Sequence, residues 1–240
     1  MRRWKIALVV LALVICALFG ALQLSNARTF QVFGDLVARV DTDQAVVALT
    51  FDDGPSTDYT QPVLEILKAH DVRATFFLTG RETAENPQQA KAIADAGHEI
   101  GNHSWSHNRM IFVSPETVRA EIENTDAAIR ATGYRGELHF RPPYGKKLVT
   151  LPWYLAQNDR TTIMWDLEPE ADPAAAADPR AMADYVIANA TNGSIIIMHV
   201  MYESREKSQQ ALPALIDGLK ARGLKFVTVS ELLALQDADS

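Results

Sequence analysis

Short apolar runs alternate with amphipathic segments along most of the chain. In the amphipathic segments, apolar residues recur at three- and four-residue spacing, as Val63, Leu64 and Leu67 do, which predicts helices. The predicted helical segments are residues 59–71, 87–97, 114–133 and 208–223. The short apolar runs between them are typical of buried strands. They are residues 46–51, 74–79, 98–103, 138–143, 161–167, 194–200 and 224–229.

This alternation predicts an α/β fold with a parallel sheet. About seven units in a chain of 240 residues favour a distorted (β/α) barrel, closed or incomplete and smaller than the usual eight-unit barrel. An open, doubly wound sheet is the alternative, although no Gly-x-Gly-x-x-Gly follows the first strand. We predict a catalytic domain over residues 44–240, preceded by a connector over residues 28–43.

Residues 1–27 follow a different pattern. Arg2, Arg3 and Lys5 precede an uncharged apolar run over residues 6–22, a combination that addresses a chain to a membrane. The run is longer than a typical signal sequence and shorter than a span of roughly 20 residues, and residues 25–27 (Ser-Asn-Ala) would suit cleavage. A signal peptide and an N-terminal membrane anchor therefore both remain open. Either places the remaining chain outside the cytoplasm, as a periplasmic or secreted body or one anchored to the inner membrane.

The charge of the chain limits its partners. Lys and Arg number 23 against 30 Asp and Glu, for a net charge of −7, and three of the basic residues lie in the N-terminal segment. The body is therefore more acidic than the whole chain, which argues against a nucleic-acid partner. Membrane contact is expected through the N-terminal apolar segment if it is uncleaved, and nothing in the sequence indicates a protein partner.

Charged or imidazole side chains lie at or just after the carboxyl ends of five of the seven predicted strands. They are Asp52 and Asp53, His103 and His107, Arg141, Asp166 and Glu168, and His199. Each alone has a structural explanation, such as a turn, a helix cap or a buried histidine. Because the carboxyl ends of parallel strands meet at one rim, where α/β folds keep their chemistry, together they predict a single site.

The residue types indicate a metal-dependent hydrolase. His103 and His107, four residues apart, can bind one ion, and one carboxylate of the Asp52–Asp53 pair completes a set with positions open to water and substrate. Zinc fits this set, and iron(II) would use similar ligands. The other aspartate is then free to take a proton from water, His199 to protonate a leaving group, and Arg141 to hold the base ionised.

Four segments resemble motifs of the polysaccharide deacetylase family, the NodB-homology carbohydrate esterases. TFDDG at 50–54, HSWSH at 103–107 and RPPYG at 141–145 match the first three motifs, and IMH at 197–199 resembles the fifth. The resemblance covers roughly residues 44–235. It implies a hydrolase that removes acetyl groups from N-acetylated amino sugars of an extracytoplasmic glycan, whether peptidoglycan, chitin oligomers or poly-N-acetylglucosamine.

The resemblance also assigns roles to residues. It implies that Asp52 is the general base, that His199 is the general acid, and that Arg141 orients Asp52. The Tyr144 backbone N–H would stabilise the oxyanion. The implied ligands of Zn²⁺ or another divalent ion are Asp53, His103 and His107.

The fourth motif of the family, Asp-x-x-Asp-Trp, is altered here. The sequence WDLEPEADP has Glu168 where an aspartate is expected, and no Trp follows. Asp172 is the candidate carboxylate beside His199 if one residue is inserted, whereas His139 is expected to stay outside the site. The alteration keeps other hypotheses open: acetyl esters on xylan, an amidase or esterase on a different acyl substrate, or an inactive glycan-binding module.

Overall fold

A computed structural model describes residues 2–238 of the chain. From residue 46 onward its strands alternate with helices, as the periodicity predicts, and every pairing between the strands is parallel. The strands are β1 (Leu36–Val37), β2 (Val46–Asp52), β3 (Thr75–Leu78), β4 (Glu99–Asn102), β5 (Thr162–Ile163), β6 (Ile195–His199) and β7 (Lys225–Val227).

The strands form a distorted (β/α) barrel, so the predicted fold class is confirmed. One sheet runs β4–β3–β2–β6, with β7 also paired to β2, and a second pairs β1 with β5. Isolated bridges join the two: Phe140 pairs with Asn102 and with Thr162, and Leu167 pairs with Ile196. These single bridges take the place of longer strands on one side of the ring.

Two predicted strands are much shorter than expected. Residues 138–143 contribute only the bridge at Phe140, because Pro142 and Pro143 have no N–H to continue a ladder. The strand predicted over 161–167 shrinks to β5, since the carbonyl oxygens of Ile163 and Met164 accept hydrogen bonds from Arg141 instead.

Helices pack around the barrel and were only partly predicted. The predicted ones are α2 (Thr60–Ala69), α4 (Pro87–Asp95), α5 (Pro115–Ala131) and α8 (Glu206–Ala221). The others are α3 (Gly80–Glu85), α6 (Thr150–Gln157), α7 (Pro179–Asn189) and α9 (Val229–Ala238), besides the N-terminal α1 (Arg2–Asn26). The segment predicted as a connector also contributes β1, whose neighbours bind β5: the Thr162 N–H donates to the Asp35 carbonyl over 2.9 Å.

The alternation of side chains along β2 decides what faces the interior of the barrel. Every residue of β2 is buried. Val47, Leu49 and Phe51 pack in the large cluster beneath the helices, whereas Val46 and Ala48 belong to a separate cluster on the opposite face. By the two-residue period of a strand, Asp52 shares the face of Val46 and Ala48. The pattern therefore directs a carboxylate into the barrel at the carboxyl end of β2.

α1 has the length and composition of a membrane-crossing helix. Within its residues 3–26, an 18-residue window has a mean hydropathy of 2.7, and none of that window is buried in the protein. A signal sequence meets the same criteria, so this helix keeps both sequence-based alternatives open.

Candidate active site

The carboxyl ends of the strands surround one cavity of about 600 Å³. Asp52 at the end of β2 stands beside His199 at the end of β6 in the register of the sheet. The predicted residues that line this cavity are Asp52, Asp53, His103, His107, Tyr144 and His199. Arg141 is fully buried and reaches Asp52 beneath the cavity floor. The structure therefore brings all seven predicted site residues together.

Asp53 turns away from the strand direction and faces two histidines. Its φ of 76° lies in the left-handed region, so its carboxylate enters the cavity next to that of Asp52. The Asp53 Oδ1 atom is buried and has no hydrogen-bond partner among residues 2–238, although His107 Nε2 lies 3.2 Å away and His103 Nε2 3.8 Å away. A buried carboxylate oxygen without a donor is costly, which indicates that the site is built for a cation.

The tautomer of His103 is fixed by its other nitrogen. His103 Nδ1 lies 2.8 Å from the Arg141 carbonyl oxygen, which can only accept, so Nδ1 carries the proton. In the neutral ring, Nε2 then directs a lone pair at the Asp52 and Asp53 carboxylates, 3.5 and 3.8 Å away. Such a backbone contact commonly orients a metal-binding histidine.

His107 completes the donor set. Its ring packs against those of His103 and Tyr144, with centroids 4.9 and 4.7 Å away. Burial and the neighbouring His103 lower the pKa of His107 despite the opposing charges of Asp53 and Asp52, which favours the neutral ligand form. Asp53, His103 and His107 each offer one ligand atom, and these three atoms lie within 4.8 Å of one another. The three residues therefore fit a divalent ion.

Asp52 is held ionised by Arg141. Arg141 Nη1 donates to Asp52 Oδ1 over 2.6 Å and to Thr50 Oγ1 over 2.8 Å. Burial alone would raise the pKa of Asp52, but the charges of Arg141, His103 and His199 outweigh burial and lower it. The result is a buried carboxylate that stays ionised beside the donor set without joining it.

His199 has a carboxylate partner that the sequence analysis missed. His199 Nδ1 lies 2.5 Å from Glu170 Oε2, and the backbone N–H of His199 donates to Glu170 Oε1 over 3.0 Å. The Ser208 hydroxyl also donates to Glu170 Oε1, over 2.5 Å. Burial lowers the pKa of His199, but the hydrogen bond with Glu170 and the charges of Asp52, Glu170 and Asp53 raise it to about 9. His199 is therefore protonated at neutral pH.

The prediction that Asp172 is the partner of His199 is wrong, because the Asp172 side chain caps a turn instead. Its Oδ1 accepts from the backbone N–H groups of Ala174 and Ala175. Asp166 and Glu168, the other acids of this loop, do not bind His199 either: Asp166 accepts from Ser194 and Ile195, and Glu168 accepts from Trp165 and Arg28. The proline-led turn Pro169–Ala171 aims Glu170 at His199, and sequence spacing alone does not indicate that direction.

The cavity also has aromatic side chains. Tyr144 is about half exposed at the rim, with Arg109 stacked on its ring at 4.6 Å. Trp165 lines the cavity although it lies before the position where the fourth motif would supply a tryptophan. His139, expected to stay outside the site, hydrogen-bonds Ser230 and does not line this cavity.

Comparison with known proteins gives a consistent result. A family profile described as Polysaccharide deacetylase matches residues 39–163. A peptidoglycan-N-acetylglucosamine deacetylase of Bacillus cereus is 36% identical over 193 residues, which cover 79% of this chain and 69% of that protein.

Two solved structures bear on activity. A crystal structure of a peptidoglycan N-acetylglucosamine deacetylase with a bound N-hydroxybenzamide superposes with a TM-score of 0.76 at 32% identity, covering 82% of this chain and 92% of that one. A CE4 family pseudoenzyme from Bacillus anthracis superposes equally well, with a TM-score of 0.75 at 32% identity, covering 84% of this chain and 70% of that one. Overall similarity therefore does not separate active relatives from inactive ones, and the site residues must do so.

Proposed function

Because the chain belongs to the polysaccharide deacetylase family, we propose that it removes acetyl groups from N-acetylated amino sugars of an extracytoplasmic glycan, with peptidoglycan the first candidate. The observation that carries this proposal is the joint presence, around one cavity, of an ionised buried carboxylate, a protonated histidine and a separate cation-binding set. An inactive glycan-binding module would have no need for all three. The intact set therefore favours an enzyme over the module.

Asp53, His103 and His107 would hold the divalent ion, Zn²⁺ or another metal of similar ligand preference. The buried Asp53 Oδ1 without a donor and the Nε2 lone pair of His103 are what such an ion would satisfy. When bound, the ion supplies positive charge that lowers the pKa of water and polarises an acyl carbonyl.

Asp52 is the proposed general base. Its carboxylate is ionised, fixed by Arg141, and faces the same cavity as the donor set, so it can accept a proton from an attacking water. The Arg141 guanidinium also donates to Thr50 Oγ1 and to the Met164 carbonyl oxygen, and these hydrogen bonds hold it in place. Arg141 therefore acts by aiming Asp52 and keeping it unprotonated.

His199 is the proposed general acid. Glu170 takes the Nδ1 side of the ring, which leaves Nε2 free to protonate the amine of the leaving sugar. Tyr144 is the second residue of the 3₁₀ turn Pro143–Gly145, a position whose backbone N–H has no partner within the turn. That N–H is the proposed donor to the developing oxyanion.

The relatives and α1 support the proposed substrate and location. The similar Bacillus cereus protein is named a peptidoglycan-N-acetylglucosamine deacetylase. Peptidoglycan lies outside the cytoplasmic membrane, and α1 would deliver the catalytic domain there. An ester or a non-sugar amide would use the same residues, and the Glu170 carboxylate beside His199 gives no reason to prefer either.

Acetate release tests this function. The full-length chain, purified in detergent, is incubated with peptidoglycan, chitin oligomers, acetylated xylan and poly-N-acetylglucosamine, with and without a chelator. We expect acetate from an N-acetylated glycan, loss of release with the chelator, and recovery when Zn²⁺ is added. Glycan binding that survives the chelator without any acetate release would favour the inactive module.

A further inference from the structure

The chain that leaves α1 contacts the rim of the active-site cavity. Asn26 and Arg28 line the cavity together with Lys146. Lys146 Nζ contacts the Asn26 side chain, and the backbone N–H of Lys147 donates to the Ser25 carbonyl oxygen over 3.5 Å. Residues 25–28, which we term the exit segment, are therefore attached to the loop that follows Tyr144.

A buried lysine makes this attachment costly to remove. Lys147 is only 1% exposed, and its Nζ donates to the Ala27 carbonyl oxygen over 2.5 Å. Burial lowers the pKa of Lys147 to about 8, so the ammonium is already destabilised where it lies. Cleavage after Ala27 would take away this acceptor and the contacts of Ser25 and Asn26 with the same loop. The observed packing therefore exists only while the exit segment stays attached.

Arg28 is fixed on the cavity wall by two contacts. Its Nη2 donates to Glu168 Oε2 over 2.7 Å, and its guanidinium lies 5.2 Å from the centre of the Trp165 ring. The Trp165 Nε1–H donates to the same Glu168 oxygen over 2.9 Å. Arg28 remains 45% exposed, so part of its guanidinium is open to a ligand in the cavity.

The mouth of the cavity has a net positive charge, whereas the whole chain has a net negative charge. Arg28, Lys146 and Arg205 line the mouth together with the acidic Glu168, and Arg205 Nη1 also lies 3.7 Å from Glu170 Oε2, so three cations stand against two carboxylates. The carboxylates of Asp52 and Asp53 lie on the floor, where Asp52 pairs with Arg141 and Asp53 belongs to the proposed metal-binding set with His103 and His107. A mouth with more cations than anions, on a chain of net charge −7, favours a ligand that carries negative charge near the reacting group.

We propose that the exit segment is a permanent wall of the substrate cavity, and that Arg28, with Lys146 and Arg205, selects glycans that carry a carboxylate beside the acetylated sugar. The inference rests on the proposed deacetylase function and narrows its substrate class. A glycan with carboxylate-bearing sugars is favoured, and a neutral homopolymer of the acetylated sugar is disfavoured.

The test compares two tetrasaccharides on the full-length chain in detergent. One alternates N-acetylglucosamine with the carboxylate-bearing N-acetylmuramic acid, and the other is neutral chitotetraose. We expect Arg28→Ala to raise KM for the charged glycan about tenfold more than for the neutral one, with kcat little changed, since a charge-assisted contact is lost. Arg28→Lys should restore part of the preference. Arg180→Ala, which removes an exposed arginine on α7, is the control and should change neither KM.

Four outcomes overturn the proposal. An equal change of KM for both glycans in Arg28→Ala would make Arg28 a packing residue, and no change would remove it from binding. A chain whose intact mass, measured after isolation from membranes, shows cleavage at or before residue 27 would refute the permanent wall. Wild-type chain that releases acetate from neither glycan would overturn the proposed function itself, and this inference with it.

Discussion

Two buried carboxylates at opposite ends of the sheet have opposite environments. Asp53, 9% exposed at the carboxyl end of β2, faces two imidazoles, and one of its oxygens has no hydrogen-bond donor in the part of the chain that the structure describes. Glu99, 6% exposed at the start of β4, accepts from the Thr75 hydroxyl over 2.6 Å and from both the hydroxyl and the backbone N–H of Ser230. Both groups are buried beside a histidine, yet one is satisfied by the protein and the other is not.

The difference indicates what each end of the barrel is for. The Glu99 network ties β3, β4 and the start of α9 together, because Thr75 also accepts from the Val229 N–H over 2.9 Å. Folding alone accounts for that arrangement. An oxygen such as Asp53 Oδ1 lowers stability unless something outside the chain binds it, and such groups occur where proteins bind ligands. Variants at the two ends should therefore separate activity from stability.

Asp53→Asn should have the largest effect on activity. We expect Zn²⁺ binding to be lost and acetate release to fall by about 10³-fold or more, because the transition-state charge loses its main stabiliser. The thermal midpoint of the metal-free variant should equal or exceed that of metal-free wild type, since an unpaired buried charge is removed. Calorimetric titration with Zn²⁺, acetate release and thermal scans in chelator measure these three effects. A midpoint well below wild type would make Asp53 structural and break the comparison.

Asp52→Asn should distinguish the role of Asp52 from that of the adjacent Asp53. We expect Zn²⁺ binding to persist while acetate release falls about 10²- to 10⁴-fold, the typical contribution of a general base. Unlike Asp53→Asn, this change should lower the thermal midpoint, because it takes the charge partner from the buried Arg141. Asp58→Asn, an exposed aspartate six residues away, is the matched control and should behave as wild type. Near-normal turnover in Asp52→Asn would refute its role as base.

Glu170→Gln should change the pH dependence of turnover. The raised pKa of His199, about 9, keeps the acid form present below that pH and removes it as pH rises further. A bound divalent cation would offset the charges of Asp52 and Asp53, so the raising effect that remains comes from Glu170. In Glu170→Gln the alkaline limb of the kcat profile should move to lower pH, and turnover at neutral pH should fall about 10- to 100-fold. An unmoved limb would show that Glu170 does not control His199.

The same His199–Glu170 pair should contribute to stability in a defined pH window. The folded pKa of His199 is raised above its ordinary value of 6.5, so the contribution is complete below about pH 6.5 and is lost as pH rises towards 9. Metal-free wild type should therefore lose more thermal stability between these pH values than metal-free Glu170→Gln does. Parallel thermal scans of both proteins across this range measure the difference.

The sequence predicted the regular part of the site and missed the irregular part. Asp52, His103 and His199 could be found because apolar strands fix where their carboxyl ends meet, and the polar residues there are conspicuous. Glu170 could not, because it lies in a loop of short turns where Glu168, Glu170 and Asp172 are all candidate carboxylates. Which of them faces His199 depends on the direction of a single turn.

The same reasoning explains the limits of the fold prediction. Strands with continuous apolar residues, such as β2 and β6, were predicted nearly to the residue. The strand predicted over 138–143 failed because a buried arginine and two prolines interrupt a run that otherwise has suitable composition. The pairing of β1 with β5 depends on tertiary contacts, and the sequence of residues 28–43 has too little periodicity to indicate a strand.

Glu99→Gln should have the smallest effect on activity and a clear effect on stability. The glutamine NH₂ group would face the hydroxyl and N–H groups that now donate to Glu99, and two facing donors cannot form a hydrogen bond. The change should cost about 1–3 kcal/mol of the free energy of unfolding. For a domain of this size, that lowers the thermal midpoint by roughly 2–4 °C per kcal/mol. Acetate release per folded molecule should stay unchanged, because the cavity lies at the other end of the barrel.

Glu137→Gln is the matched control. The exposed Glu137 carboxylate lies 3.7 Å from His139 Nδ1 but is not part of the Glu99 network, so the thermal midpoint of this variant should not move. A fall in acetate release without a fall in the midpoint would mean that the two ends of the sheet are coupled, and the division between a satisfied structural end and an unsatisfied catalytic end would no longer hold.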